Sequence, residues 1–312
     1  METQEVKLNV ESFEDLVKLC KSNDTSPDVQ GLHIIKKPLL RLHKLVGMKE
    51  LKKQIMYQIL FVVQGLESGE MMHTALMGSP GVGKTTVAKI IADIYTKLGL
   101  LTKGKLICVT REDLVGQYLG ETAIKTRNVL ECSKGNVLFI DEAYSLGNGC
   151  SGDSYSKECV DTLVAFLSEN TKNFVCIIAG YETELRRYFF DSNPGLDRRF
   201  PWKYTLESYA PDELLQIFEK NVKGKWKLKR PKETLRGLHT LLEQNKELFA
   251  NNGGDVITLL SACKMAHSKR VFGMSRTNKM ALDASDIKLG FELYKRNKRG
   301  KDTNPLVAHM YV

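Results

Sequence analysis

Residues 73 to 86 read His-Thr-Ala-Leu-Met-Gly-Ser-Pro-Gly-Val-Gly-Lys-Thr-Thr. Thr74 to Met77 is a short run of strand length, and Thr85 to Leu98 (T-T-V-A-K-I-I-A-D-I-Y-T-K-L) carries apolar residues at helical spacing. Between them Gly78, Ser79, Pro80, Gly81, Val82, Gly83, Lys84 and Thr85 fill the pattern G-x-x-x-x-G-K-[ST]. Glycines let the main chain curl there so that successive N–H groups point inward at a phosphate chain, where side chains would obstruct it. Lys84 can then reach the outer phosphates and the Thr85 hydroxyl, with Thr86 beside it, can ligate Mg²⁺, while the following helix adds the positive end of its dipole. The stretch predicts a phosphate-binding loop at a strand-to-helix junction, with ATP and Mg²⁺ as ligands.

Working outward, Lys105 to Thr110 (K-L-I-C-V-T), Asn136 to Ile140 and Asn173 to Ala179 read as further strands, with helical periodicity between them at 121–132 and 159–167. Nearly uniform apolar strands alternating with helices predict an α/β fold, a parallel sheet covered on both faces. Upstream, residues 1–38 read as a leader with one short helix near Glu11 to Lys21, followed by a loop at Val46-Gly47 and a helix with one apolar face. From Ala210 the texture turns helical, at Asp212 to Val222, Lys232 to Phe249, Asp255 to Val271 and Ala284 to Lys298. The predicted organisation is an α/β nucleotide-binding domain over 39–209, a small α-helical domain over 210–298, and a tail over 299–312 whose Leu306, Val307, Met310 and Tyr311 could dock on a surface.

Composition narrows the class without deciding it. The chain has 312 residues, 42% hydrophobic and 27% charged, ordinary for a soluble globular protein. Its net charge of +9 permits contact with nucleic acid but equally suits a protein that attracts nucleotides. Seven cysteines without a C-x-x-C pair, mostly in apolar stretches, predict reduced, buried thiols. No run approaches the ~18 consecutive apolar residues of a membrane helix, so the expectation is no membrane and a cytoplasmic, or else nuclear, setting.

The third strand ends in Asp141-Glu142. After a phosphate-binding loop, four apolar residues and two carboxylates put Asp141 near the Mg²⁺ of Thr85 and Glu142 beside the γ-phosphate, where it can orient or deprotonate an attacking water. Gly78 to Thr85, Asp141-Glu142-Ala-Tyr-Ser-Leu146, Ile178-Ala-Gly-Tyr181 and Asn193-Pro-Gly-Leu-Asp-Arg-Arg-Phe200, followed by a helical domain, together resemble an AAA+ ATPase over roughly residues 40–296. The likeness is to the CbbX/CfxQ and stage V sporulation protein K branch, whose members include red-type rubisco activases.

That resemblance implies a P-loop NTPase sheet with a helical lid, ATP hydrolysis, and a homo-oligomeric ring, a hexamer. It implies an arginine finger donated to the neighbouring subunit, with Arg199 the first choice and Arg198 the second. It places Val46-Gly47 at the adenine-contacting turn and Tyr181 at the position called sensor 1. It also exposes a departure. Where the family's third lid helix commonly begins G-N-x-R, with a phosphate-sensing arginine, this chain has Asn252-Gly253-Gly254-Asp255. Either Asp255 caps the helix and another base such as Lys264 substitutes, or the lid is weakly coupled to nucleotide.

Tyr118-Leu119-Gly120 falls where AAA+ protein remodellers carry an aromatic-hydrophobic-glycine pore loop, implying a protein client gripped by an aromatic ring. Two other readings fit the residues. A nucleic-acid-handling ATPase of clamp-loader or helicase-loader type would use the basic run Lys220 to Lys232, with Trp226 among its lysines, and a second cluster at Lys295 to Lys301. A nucleotide-gated scaffold with weak turnover would follow from an uncoupled lid.

Overall fold

In the computed structural model of the protein, which describes residues 8–67, 69–118, 120–147, 153–224, 226–274 and 279–302, the apolar runs become one parallel sheet. Its strands are β1 (Thr74–Gly78), β2 (Leu106–Val109), β3 (Val137–Ile140), β4 (Val175–Gly180) and β5 (Trp202–Leu206), in the order β2-β3-β4-β1-β5. Register fixes what meets at the sheet's C-terminal edge. Ile140 is level with Ile178, and Ile178 with Ala75, so the chain leaving β3 emerges close to the chain leaving β1. This is the edge at which open α/β sheets bind their ligands.

By packing, the described residues divide into two units, 8–78 with 84–206, and 79–83 with 207–302. In the first unit, α5 (Lys84–Lys97) buries Val87, Ile90, Ile91 and Ile94. α7 (Glu121–Cys132) and α8 (Ser154–Glu169) cover a core containing Leu130, Leu163 and Phe166. α4 (Lys49–Val63) is tied to β5 by the buried Tyr204 hydroxyl, which donates to Gln58 Oε1 at 2.7 Å. Upstream of it, α1 (Phe13–Leu19) begins with a capping box from Ser12 and Asp15. Two helices that the sequence reading did not separate follow, α2 (Pro27–Ile34) and α3 (Lys36–His43), and bury Val29, Leu32, Leu39 and Leu42. Lys52 closes the end of α3 by donating to the carbonyls of His43 and Leu45.

The second unit holds α11 (Pro211–Val222), α12 (Pro231–Gln244), α13 (Asn252–Arg270) and α14 (Ala284–Asp302) around Leu214, Phe218, Leu238, Leu259 and Phe291. A parallel pair of two-residue strands, β6 (Lys227–Leu228) and β7 (Ala281–Leu282), joins them. The helical stretches expected from sequence fall on these helices, except that the one expected over Lys232 to Phe249 ends at Gln244 and is followed by a separate 3₁₀ turn, Lys246–Phe249. The docking expected of Leu306, Val307, Met310 and Tyr311 lies outside the described residues.

Among the described residues no helix is long and apolar enough to cross a membrane. The cysteines divide: Cys20, Cys159, Cys176 and Cys263 are buried free thiols, whereas Cys108 and Cys132 are exposed. Cys108 escapes burial because β2 is an edge strand. Cys150 is outside the described residues.

Candidate nucleotide site

Two of the predicted groups converge on Lys84 in the first unit. Lys84 opens α5, and its ammonium donates to the Gly78 carbonyl at 2.7 Å. Burial lowers its pKa from the ordinary value, and the charges of Asp141 and Glu142 oppose that shift. The lysine at the phosphate-binding loop and the two carboxylates after β3 therefore share one electrostatic environment. Asp141 Oδ1 accepts the Glu142 N–H at 3.1 Å, and Glu142 turns the chain with a left-handed φ of 50°. Such a φ costs a non-glycine residue of order 1 kcal/mol or more, and strain of this kind collects at functional sites. A cavity of about 400 Å³ opens beside the carboxylates, lined by Thr110, Arg111, Glu112, Asp141, Glu142 and Ser145.

The loop is built for main chain alone. At Gly78 (φ 154°) a Cβ would stand 2.5 Å from the Leu206 carbonyl oxygen of β5, so no side chain fits where the strand gives way to the loop. Thr85 is half-buried in the first turn of α5 and Thr86 is exposed beside it. Thr85 offers a hydroxyl and Asp141 a carboxylate, hard oxygen donors of the kind that suits magnesium. Tyr181 follows β4, and the Lys84 ammonium lies 5.7 Å from its ring centroid, a cation–π contact. At the other predicted contact, Val46 is buried, and Gly47 (φ 62°) and Met48 (φ 56°) make a tight left-handed turn before α4.

Ser79 to Gly83, the tip of the loop, belongs to the second unit. Its carbonyl oxygens are taken by that unit's own donors: Asn252 Nδ2 to Pro80 (3.2 Å), the Gly253 N–H to Gly81 (3.2 Å) and the Tyr209 hydroxyl to Val82 (2.9 Å). Asn252 also accepts the Tyr209 N–H on Oδ1 at 2.9 Å and sits at φ 50°. Asp255 is buried, accepts the Asn251 N–H at 2.7 Å and pairs with Lys298 at 2.6 Å. It is thus a helix-capping residue with its own counter-ion. Lys264 stacks on the Trp226 ring at 5.3 Å. Sequence reasoning missed Asn252 and Tyr209 as loop partners, because nothing in either residue's neighbourhood marks a bond spanning more than a hundred positions.

The remaining candidates are spread over the surface. Arg199, on α10 (Pro194–Arg199), donates to Ser168 Oγ at 2.7 and 3.0 Å and to the Gly195 carbonyl at 3.0 Å, while Arg198 is exposed. Tyr118 is 69% exposed, and its N–H and that of Gln117 both donate to Glu121 Oε2, so the aromatic is held out from the base of α7. Gly120 (φ 83°) caps that helix, and Leu119 is outside the described residues. Lys227, Lys229, Arg230 and Lys232 are exposed, but Trp226 packs against the helical core. This partly buried indole has Lys264 over its ring and His267 against it, which leaves it poorly placed for base stacking.

Comparison with known proteins gives the family and the fold. Residues 74–190 match the model of AAA, the ATPase family associated with various cellular activities, and residues 210–298 match the AAA lid domain. A cfxQ-like protein of Acanthamoeba polyphaga mimivirus is 37% identical over 310 residues, 96% of this chain and 75% of the relative. Stage V sporulation protein K of Bacillus subtilis is 37% identical over 236 residues, covering 70% and 73%. The chloroplastic ribulose bisphosphate carboxylase/oxygenase activase of Cyanidioschyzon merolae is 32% identical over 271 residues, covering 85% and 89%. Among solved structures the FIGL-1 AAA domain in complex with ADP shares the fold, with a TM-score of 0.58 at 15% identity over 83% of this chain and 87% of that one.

Proposed function

Since the chain belongs to the AAA ATPase family, in the branch of CfxQ and stage V sporulation protein K, we propose that it works as a ring, a homo-hexamer, that hydrolyses Mg-ATP to remodel a protein client. The observation that carries the reading is the sheet register that brings Asp141 and Glu142, after β3, to the same edge as the loop and Lys84 after β1. Lys84 would bind the outer phosphates and Glu142 would orient the attacking water. Thr85 and Asp141 would hold magnesium, which when bound offsets phosphate charge. The loop's N–H groups from Gly78 to Thr86 would cradle the phosphates, with Val46-Gly47 against the base and Tyr181 near the reacting end. Phosphoryl transfer needs positioning and charge stabilisation more than covalent chemistry, so this set is sufficient.

Hydrolysis at subunit boundaries would depend on a finger from α10. Presenting Arg199 to a neighbour costs its bonds to Ser168 and Gly195, whereas Arg198 is exposed already, so both enter the proposal with Arg198 the less encumbered. The exposed ring of Tyr118, with Leu119 and Gly120, would grip the client. A relative whose name is rubisco activase supports a protein client in general. A cytoplasmic setting is part of the reading, since the buried free thiols suit a reducing compartment.

The test is the steady-state ATPase rate across protein concentration, alone and with unfolded polypeptide, single-stranded DNA or duplex DNA. A specific rate that rises with concentration and again with polypeptide supports the remodeller. Stimulation by DNA alone, falling with salt, would replace it with a nucleic-acid-handling ATPase.

A further inference from the structure

Arg111 lines the cavity beside Asp141 and Glu142, and its guanidinium is bonded in two directions. The sheet brings it there. Val109 of β2 is level with Ile140 of β3, and its carbonyl accepts the Asp141 N–H at 3.2 Å, so the chain leaving β2 runs beside the chain leaving β3. Arg111 opens α6 (Arg111–Leu114), the short helix between β2 and the loop of Tyr118. In one direction its Nη1 donates to the Ser145 carbonyl at 2.7 Å. In the other, Nη2 donates to Asp153 Oδ2 at 2.8 Å, and Nη1 also donates to the Ser156 hydroxyl. Asp153 caps α8 and accepts the Ser156 hydroxyl at 2.7 Å, so this end of the fork is anchored on the first turn of a 16-residue helix.

Ser145 belongs to the 3₁₀ turn Ala143–Leu146 that directly follows Glu142. Its N–H donates to the Glu142 carbonyl at 2.9 Å while its own carbonyl accepts from Arg111, so one residue joins Glu142 to Arg111. Glu142 is exposed at a left-handed φ of 50°, a conformation that persists in a residue with a Cβ only where the surroundings over-determine it. Here Asp141 Oδ1 holds the Glu142 N–H, Ala143 and Leu146 are buried, and Arg111 ties down the Ser145 carbonyl. We infer that Arg111 is a positioning residue for Glu142: by fixing the turn that follows, it sets the direction in which the Glu142 side chain leaves the backbone, and so its aim at the attacking water. A planar fork meets acceptors on two segments at once, which a single ammonium does not do in the same geometry. The inference rests on the ATPase reading above and adds to it a residue that acts through the backbone of Glu142 and not on the nucleotide.

The test compares Arg111→Met, Asp153→Asn, Glu142→Gln and the double variants in the whole chain, measuring kcat and KM for Mg-ATP, the affinity for a fluorescent ATP analogue, and the melting temperature. Arg111→Met keeps much of the stem and removes the fork. Its kcat is expected to fall about 10-fold, less than the roughly 10²- to 10⁴-fold that general-base catalysis supplies, with KM and nucleotide affinity within about twofold of wild type. Asp153→Asn still caps α8 but takes the carboxylate away from Arg111, so it should lower kcat about 3-fold and cost nothing further in Arg111→Met. In Glu142→Gln, followed by single-turnover hydrolysis, Arg111→Met should likewise cost nothing, since there is no base left to aim. An unchanged kcat in Arg111→Met, losses that multiply in either double variant, or a nucleotide affinity that falls with kcat would each overturn the inference.

Arg111→Lys separates aim from charge, and it decides the matter should Arg111→Met melt too low to assay. It keeps the positive charge and loses the fork, so kcat should fall as in Arg111→Met at constant KM. A wild-type kcat in Arg111→Lys refutes the positioning role. Wild type without ATP turnover would sink the ATPase reading and this inference together. Wild type that turns over and loses activity in Glu142→Gln, but not in Arg111→Met or Arg111→Lys, would sink this inference alone.

Discussion

Asn252 is the side chain whose replacement should separate backbone strain from hydrogen bonding at the tip of the phosphate-binding loop. It is 2% exposed, donates to the Pro80 carbonyl, accepts the Tyr209 N–H and sits at φ 50°. Asn252→Ala removes these two bonds and a third from the amide to the Ala250 carbonyl, at about 0.5–1.5 kcal/mol each, and puts a Cβ residue without a local polar side chain into the left-handed region, at about 1–2 kcal/mol. The total is about 2.5–6.5 kcal/mol. Asn252→Gly loses the same bonds and relieves the strain, so it should be the more stable of the two by about 1 kcal/mol. The chain has two tryptophans, and Trp226 lies in the same unit as Asn252 while Trp202 is on β5. In a Trp202→Phe background, urea unfolding followed by fluorescence therefore reports on that unit alone. Both variants should also weaken binding of a fluorescent ATP analogue, because Pro80 and its neighbours lose a partner that shapes the loop. Alanine and glycine variants equal to each other and within 0.5 kcal/mol of wild type would refute the assignment of strain and bonding.

Three further outcomes follow. Tyr118→Ala should bring the ratio of polypeptide-stimulated to basal ATPase rate down to about 1, and a retained ratio removes Tyr118 from client binding. Arg198→Ala chains mixed with Glu142→Gln chains should regain turnover or show dominant inhibition, and more strongly than Arg199→Ala mixtures; rates that simply average would count against a finger acting in trans. In the second unit, burial would raise the Asp286 carboxyl, but hydrogen bonds from Arg270, the Asp283 N–H and His267 outweigh it and hold the pKa at about 2. A folded pKa below the unfolded value of ~3.9 stabilises fully above that value, and the contribution is lost as pH falls towards 2. Asp286→Asn should therefore flatten the acid limb of urea stability between about pH 4 and pH 2, and an unchanged limb would show that Asp286 contributes nothing there.

What was legible in the sequence was local. The loop from Gly78 to Thr85 and the pair Asp141-Glu142 declare themselves because each needs its residues in a contiguous run, and the sheet's register then brings the runs together. β5 was harder to see: Trp-Lys-Tyr-Thr-Leu alternates, as an edge strand does, and lacks the uniform apolar character used to find the others. α2, P-D-V-Q-G-L-H-I, buries only Val29 and Leu32, so its helicity comes from packing in the first unit and not from a pattern of its own. The tether of Arg199 was invisible for a different reason. Its acceptor Ser168 is 31 residues away on α8, and serine in a helix carries no sign of what it will accept.

The aspartate at 255 shows why a motif's departure has to be read through its partners. Taken as a replacement for a phosphate-sensing arginine, Asp255 is a charge reversal that would repel a nucleotide. Its carboxylate is instead occupied by Lys298 and the Asn251 N–H, and a carboxylate paired in this way projects little field beyond its partners. What the same turn of chain offers the phosphate-binding loop is neutral: the Asn252 amide and the Gly253 N–H, both on loop carbonyls. Neutral hydrogen bonds are insensitive to salt, whereas contact between an arginine and phosphate weakens as salt rises. Any contribution that these two bonds make to nucleotide affinity, through the shape of the loop, should therefore persist at ionic strengths where a sensing arginine's would fade.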